Sequence, residues 1–279
     1  MPLLRSISIG AFRVGAGEPL VLIAGPCVIE NERHAMKIAE RLVKIAAKGK
    51  VPLIFKASYD KANRSSVRSF RGPGLAGGVE ILRKIRDRFR VPVLTDVHEP
   101  AQARAAAEVC DVLQVPAFLS RQTDLLIAAG ETGRAVNLKK GQFLSPWEMA
   151  NAVEKVKSTG NNSVMITERG VCFGYNNLVV DMRSFPILAK TGCPVVFDVT
   201  HSVQLPGGQG NASGGEPEFI EPLARAGTAV GVDGIFLEVH ERPERALSDG
   251  SNALRLDRLP GLLAKLKPIA KLVRSWSLS

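Results

Sequence analysis

Cysteine is sparse and never paired in sequence. Cys27, Cys110, Cys172 and Cys193 stand far apart with no CxxC spacing, which argues against a zinc ribbon or a thioredoxin-like motif. A chain of 279 residues in a reducing compartment needs no disulfides, so Cys110, Cys172 and Cys193 are expected to be small buried apolar residues. No apolar run is long enough to span a bilayer, and the opening MPLLRSISIGAF lacks the apolar core of a secretory signal. A cytoplasmic protein with no membrane partner is expected. Aromatic residues are scarce as well, with two Trp and two Tyr to offer for base stacking. No Lys/Arg-rich tract stands out, so the net charge of +10 is scattered rather than banded and does not suggest a nucleic-acid partner. The basic stretch from Lys265 to Arg274 reads as the solvated face of a helix.

What is present is a rhythm. Apolar strand-like runs occur at 20–26, 52–58, 91–98, 111–118, 135–141, 162–170, 194–201 and 234–240. Amphipathic segments such as HAMKIAERLVKIAAKG, GGVEILRKIRDRF and PWEMANAVEKVKSTG lie between them. Alternation of this kind implies parallel strands joined by helical crossovers. Eight units suit a closed (β/α)8 barrel occupying residues 1–279 as one catalytic domain. An open doubly wound sheet is the alternative. The barrel is preferred because polar residues end nearly every strand instead of gathering at one switch point. The alternating, glycine-containing start predicts a short hairpin over about residues 4–17 that caps the N-terminal end. Two long connections, 204–219 and 241–256, are expected to be active-site lids.

The chemistry concentrates in KANRSSVRSFRGPGL, Lys61 to Leu75. Four cations, paired serines, an amide and glycines fit the grip on a phosphorylated sugar, with arginine forks matched to phosphate oxygens. The predicted strand ends add Cys27, Lys56, Asp96, His98, Gln114, Lys139, Lys140, Glu168, Arg169, Asp198, His201, Glu238 and His240. Any one of these suits a solvated surface position; their recurrence at the same end of successive strands argues for a common mouth. Lys56, Lys139 and Arg169 suit a phosphate or carboxylate. Cys27, His201, Glu238 and Asp249 offer a thiolate, an imidazole and two carboxylates, a plausible divalent-metal set whose discontinuous spacing carries little specificity of its own.

Taken together, IAGPCVIE, KANRSSVRSFRGPG, QVPAFLSRQTDLL, AVNLKKGQFLSPWEM, TERGVCFGYNNLVVDMRS, DVTHSVQLPGG and ALSDG resemble the 3-deoxy-manno-octulosonate 8-phosphate synthases over roughly residues 5–275. The resemblance implies a (β/α)8 barrel, usually a homotetramer, that condenses phosphoenolpyruvate with arabinose 5-phosphate and water on the route to lipopolysaccharide. By motif, Lys56, Gln114, the backbone of Ala117, Lys139 and Arg169 would bind phosphoenolpyruvate. Lys61, Asn63 and Asp96 would meet the pentose and its reacting end, with Lys61 as general acid and His201 as a possible proton relay. Arg64 and Ser65 would clamp the pentose phosphate, in this family across a subunit interface. The related 3-deoxy-arabino-heptulosonate 7-phosphate synthases read KPRTSP where this chain has KANRSS, so Ala62-Asn63 favours the longer sugar. Metal-independent members carry Asn where this chain has Cys27. The resemblance therefore implies one divalent metal (Zn, Fe, Mn or Co) on Cys27, His201, Glu238 and Asp249.

Overall fold

The computed structural model describes residues 6–64, 66–207 and 214–277. Eight parallel strands form its centre: β1 (Val21–Gly25), β2 (Leu53–Lys56), β3 (Val93–Asp96), β4 (Val112–Val115), β5 (Ala135–Lys139), β6 (Val164–Glu168), β7 (Val195–Asp198) and β8 (Gly234–His240). Each pairs with the next, and β8 returns to β1 in the register Gly234↔Val21 to Glu238↔Gly25. That closure makes the sheet a (β/α)8 barrel and excludes the open-sheet alternative.

Burial on both faces explains the near-continuous apolar strands. Inward residues Val21, Ile23, Ile54, Leu94, Val112, Ala135, Met165, Val196 and Phe236 pack inside the barrel. Their sequence neighbours, such as Leu22, Phe55, Leu113, Val136 and Phe197, face the helices in a second, outer core. The first crossover helix, α1 (Glu32–Gly49), shows the logic. Ala35, Ile38, Ala39, Leu42 and Ala46 recur at helical spacing and are buried. The Asn31 side chain accepts the His34 N–H at its start, and Lys50 ends it in the left-handed region.

The hairpin is present, with Ile7–Ile9 paired to Phe12–Val14. Ile7, Ile9 and Val14 join the inner core, so the hairpin plugs the end of the barrel opposite the strand C-termini. Residues 4 and 5 of the expected span lie outside the described residues. The 204–219 connection contains a small ladder of Gln204–Leu205 with Gly214–Gly215; residues 208–213 lie outside the described residues. The 241–256 connection is built of tight turns and a strand, Leu254–Arg255, that pairs with the end of β8. Lys265, Lys267 and Lys271 line the exposed face of the last helix, Leu259–Ser277.

One expectation needs correction. Cys110 and Cys193 are buried, but Cys172 is exposed. It lies not on a barrel strand or a packed helix but on a two-stranded hairpin, opposite Leu178, in the connection that follows β6. No described helix is long and apolar enough to cross a membrane.

Candidate active site

The C-terminal ends of the strands surround a cavity of about 310 Å³. It is lined by Lys56, Lys61, Asn63, Arg64, Asp96, His98, Gln114, Ala117, Lys139, Arg169, His201, Glu238 and Asp249, so residues from across the chain meet in one mouth. Cys27, buried at the end of β1, lies behind Asp249. Ser65 lies outside the described residues. Lys140, Glu168 and His240 were grouped with this ring from sequence, but they do not line the cavity. Lys140 pairs with Glu168 at 3.3 Å and donates to the Leu144 carbonyl, pinning loops beside the mouth. His240 turns to Glu30.

Glycine makes the approach of the first two strands possible. A Cβ on Gly25 would overlap the Lys56 carbonyl, so only glycine lets β1 end this close to β2. Lys56 Nζ then donates to Glu238 Oε1 (2.7 Å) and to the Cys27 carbonyl (2.9 Å) with almost no solvent contact. Burial alone would raise the Glu238 carboxyl. His201, Lys56, Lys61 and Lys139 outweigh it and hold the group well below the usual carboxylate range. Asp96 behaves alike: burial opposes its charge, while Lys56 and Lys61 sustain it. Ser58 and Gln114 both donate to its oxygens. Burial would discharge Lys61, but Cys27, Glu238, Asp249 and Asp96 keep its pKa well above that of a free lysine.

Three groups converge where β1 and β8 adjoin. The ligand atoms of Cys27, Glu238 and Asp249 all lie within 4.8 Å of one another, with Cys27 Sγ 3.1 Å from Asp249 Oδ2. Asp249 holds φ at 48°, a backbone region that non-glycine residues seldom occupy. His201, the fourth residue expected from sequence, stands beside this group and not within it, its Nε2 3.5 Å from Glu238 Oε2. Its Nδ1 lies 2.6 Å from Asp198 Oδ2. A carboxylate only accepts, so Nδ1 donates to Asp198 and Nε2 is the ring nitrogen turned toward Glu238, the orientation in which metal-binding histidines are held. Lys139 also pairs with Asp198 and helps hold that carboxyl ionised. Burial, Asp249 and Glu238 push the Cys27 thiol well up, a conflict that a divalent cation would relieve. Thiolate, imidazole and two carboxylates thus fit a divalent transition metal.

A second acid–histidine cluster, Glu30, His34 and His240, is differently arranged. His240 Nδ1 accepts the Arg242 N–H at 2.9 Å, so its Nε2 carries the proton toward Glu30, 3.3 Å away. No hydrogen bond joins the three among the described residues: both ring nitrogens of His34 and Nε2 of His240 are buried without a hydrogen-bond partner, while Glu30 accepts the Leu247 N–H two residues before Asp249.

For anions the mouth offers Arg169, whose Nη2 donates to Gln204 while its buried Nη1 has no hydrogen-bond partner among the described residues. Arg64 Nη1 donates to Ser248 Oγ at 2.7 Å and lies 3.4 Å from Asp249 Oδ1. Arg64 was expected to act across an interface; in this chain it reaches the mouth of its own barrel. Sequence reasoning missed Ser58 and Ser248. Ser248 joins Arg64 to Cys27, whose Sγ lies 3.0 Å from the hydroxyl. The signal for it was its place in ALSDG, directly before Asp249.

The sequence pattern of the DAHP synthetase I family matches residues 6–275. The chain is also similar to proteins named 2-dehydro-3-deoxyphosphooctonate aldolase. The one from Geotalea daltonii is 61% identical over 272 residues, covering 98% of this chain and 100% of that protein. Those from Citrifermentans bemidjiense and Geobacter sulfurreducens are each 60% identical, covering 96% and 97% of this chain and 98% and 99% of their own lengths.

Proposed function

Because the chain belongs to the DAHP synthetase I family, we infer that it performs the reaction of its 2-dehydro-3-deoxyphosphooctonate aldolase relatives. It condenses phosphoenolpyruvate with D-arabinose 5-phosphate and water, giving 3-deoxy-D-manno-octulosonate 8-phosphate and inorganic phosphate for lipopolysaccharide synthesis. The observation that carries the reading is the mouth itself, where Lys56, Lys61, Lys139 and Arg169 face one cavity beside the Cys27 cluster. Two phosphorylated anions need this density of fixed positive charge.

In the reading we propose, Lys56, Gln114, the Ala117 backbone, Lys139 and Arg169 receive phosphoenolpyruvate. The unpartnered Arg169 Nη1 is a buried donor that a carboxylate or phosphate oxygen would satisfy. Lys61, Asn63 and Asp96 receive the pentose, and Arg64 with Ser65 its phosphate. Carbon-3 of phosphoenolpyruvate attacks the aldehyde carbon, forming the C–C bond while the carbonyl electron pair moves to oxygen. Lys61, held charged by its anionic neighbours, polarises that oxygen and supplies its proton. Water adds at carbon-2 and loses a proton. The resulting hemiketal collapses with cleavage of the carbon-2–oxygen bond, releasing phosphate and leaving the ketone. Asp198 orients His201, whose Nε2 faces the site. Cys27, His201, Glu238 and Asp249 would hold one divalent ion (Zn, Fe, Mn or Co). When bound, it would supply Lewis-acid polarisation of a sugar or water oxygen.

We place this activity in the cytoplasm and in a homotetramer of single-domain chains. Phe118, Phe143, Trp147, Phe173 and Tyr175 are exposed on the loops after β4, β5 and β6, an apolar surface that a second copy would cover. The test is phosphate release from phosphoenolpyruvate with arabinose 5-phosphate against erythrose 4-phosphate, with and without chelator. Turnover with the pentose, lost on chelation and restored by Mn²⁺, Zn²⁺ or Co²⁺, is expected. Preference for the tetrose overturns the substrate assignment. Full activity after metal removal verified by elemental analysis overturns the metal.

A further inference from the structure

Beneath the mouth, a hydrogen-bond chain runs without a break across four adjacent strands, β3 to β6. Thr167 Oγ1 donates to Asn137 Oδ1 (2.7 Å), Asn137 Nδ2 donates to Gln114 Oε1 (2.8 Å), and Gln114 Nε2 donates to Asp96 Oδ1. Asp96, Gln114 and Asn137 are direct register partners on β3, β4 and β5. Asn137 and Thr167 are wholly buried and do not line the cavity, whereas Gln114 and Asp96 do.

The chain has one permitted direction. Asp96, ionised between Lys56 and Lys61, can only accept, so it faces the Gln114 amide nitrogen. The Gln114 carbonyl must then point to β5, where Asn137 is its one hydrogen-bond donor among the described residues. The Asn137 carbonyl in turn takes the Thr167 hydroxyl proton. Reversing Gln114 would set its carbonyl oxygen against the Asp96 carboxylate, and reversing Asn137 would set its carbonyl oxygen against that of Gln114. Gln114 is thereby committed: its second N–H is what it can offer to a ligand in the mouth.

We propose that Asn137 is a positioning residue for phosphoenolpyruvate, holding the Gln114 amide so that it meets the substrate as a hydrogen-bond donor. This rests on the assignment of Gln114 to phosphoenolpyruvate given above. Asn137 touches no substrate and acts through Gln114. Without it the Gln114 carbonyl is buried unpaired and the amide is held by Asp96 alone, so the donor is no longer fixed from both sides before the substrate.

The experiment is a double-mutant cycle with Asn137→Leu and Gln114→Leu, read as kcat and as KM for each substrate, with folding followed by circular dichroism. Each single variant is expected to raise KM for phosphoenolpyruvate roughly tenfold. KM for arabinose 5-phosphate is expected to stay close to that of the parent. In the double variant, kcat/KM for phosphoenolpyruvate should be no lower than in Gln114→Leu alone. A structural role for Asn137 predicts instead that the two losses multiply, or that both KM values move together, and either result overturns the proposal. An unchanged KM for phosphoenolpyruvate in folded Gln114→Leu would show that the assignment of Gln114 has failed, and the proposal falls with it. If Asn137→Leu does not fold, the isosteric Thr167→Val removes the far donor of the chain. It should raise the same KM about threefold, and an unchanged value there overturns the inference.

Discussion

Asp233 lies at the end of the barrel opposite the mouth, just before β8, and separates stability from catalysis in a testable way. Its Oδ2 accepts the Val195 N–H at 2.8 Å, joining the starts of β7 and β8. Burial raises its carboxyl from 3.8 to about 6; the Val195 hydrogen bond and Arg274 recover only part of that. The sign follows from comparing folded and unfolded chains. Below about pH 4 the group is protonated in both and contributes nothing. Between about 4 and 6 the unfolded chain ionises first, so folding loses stability as pH rises. Above the folded value the loss is complete. A rise from 3.8 to about 6 corresponds to at most about 3 kcal/mol, and partial solvent contact reduces this to about 2 kcal/mol. Asn at this position keeps an oxygen for the Val195 N–H and carries no charge. Asp233→Asn should therefore stabilise the protein by about 2 kcal/mol at pH 7.5, or roughly 5 °C in Tm, and by almost nothing at pH 4. Urea denaturation at fixed protein and metal concentration measures both. Turnover should be unaffected, since the change is made far from the strand C-termini. Equal stabilities at pH 7.5, or a gain that persists undiminished at pH 4, would refute the reasoning.

Two further outcomes concern the mouth. Lys61→Met should lower kcat by about 10²–10³, the scale of losing one preorganised donor to a developing oxyanion, and Lys61→Arg should recover part of it. A kcat within twofold of the parent in single-turnover assays would remove Lys61 from the reaction. Lys56→Met strands Glu238 without the ammonium that lies 2.7 Å away, and should cost about 3–5 kcal/mol of stability in urea denaturation. Adding Glu238→Leu should return part of that loss; a double variant weaker than Lys56→Met would contradict the ion-pair account.

The sequence carried the barrel because each strand is buried on both faces and bounded by polar residues, and parallel strands deliver their ends to one side. Closure then placed Cys27, after β1, beside Asp249, after β8, though they lie near opposite ends of the chain. What strand-end reading lacked was the side each residue takes. Side chains alternate, so the inward course of Ala135, Asn137 and Lys139 sends Lys140 outward, and that of Met165 and Thr167 does the same to Glu168. Parity alone would have removed both from the ring and placed Asn137 beneath Lys139. It does not account for His240, which shares the parity of Glu238 but lies where β8 has left its pairing with β1 and taken up Leu254–Arg255. Ser58 and Ser248 were illegible for another reason. A hydroxyl suits strand, turn or surface equally, and only the folded chain shows one donating to Asp96 and the other accepting from Arg64. Alternation therefore recovers a buried polar layer from sequence when its members sit in strands, while the hydroxyls that fasten loops to that layer need coordinates.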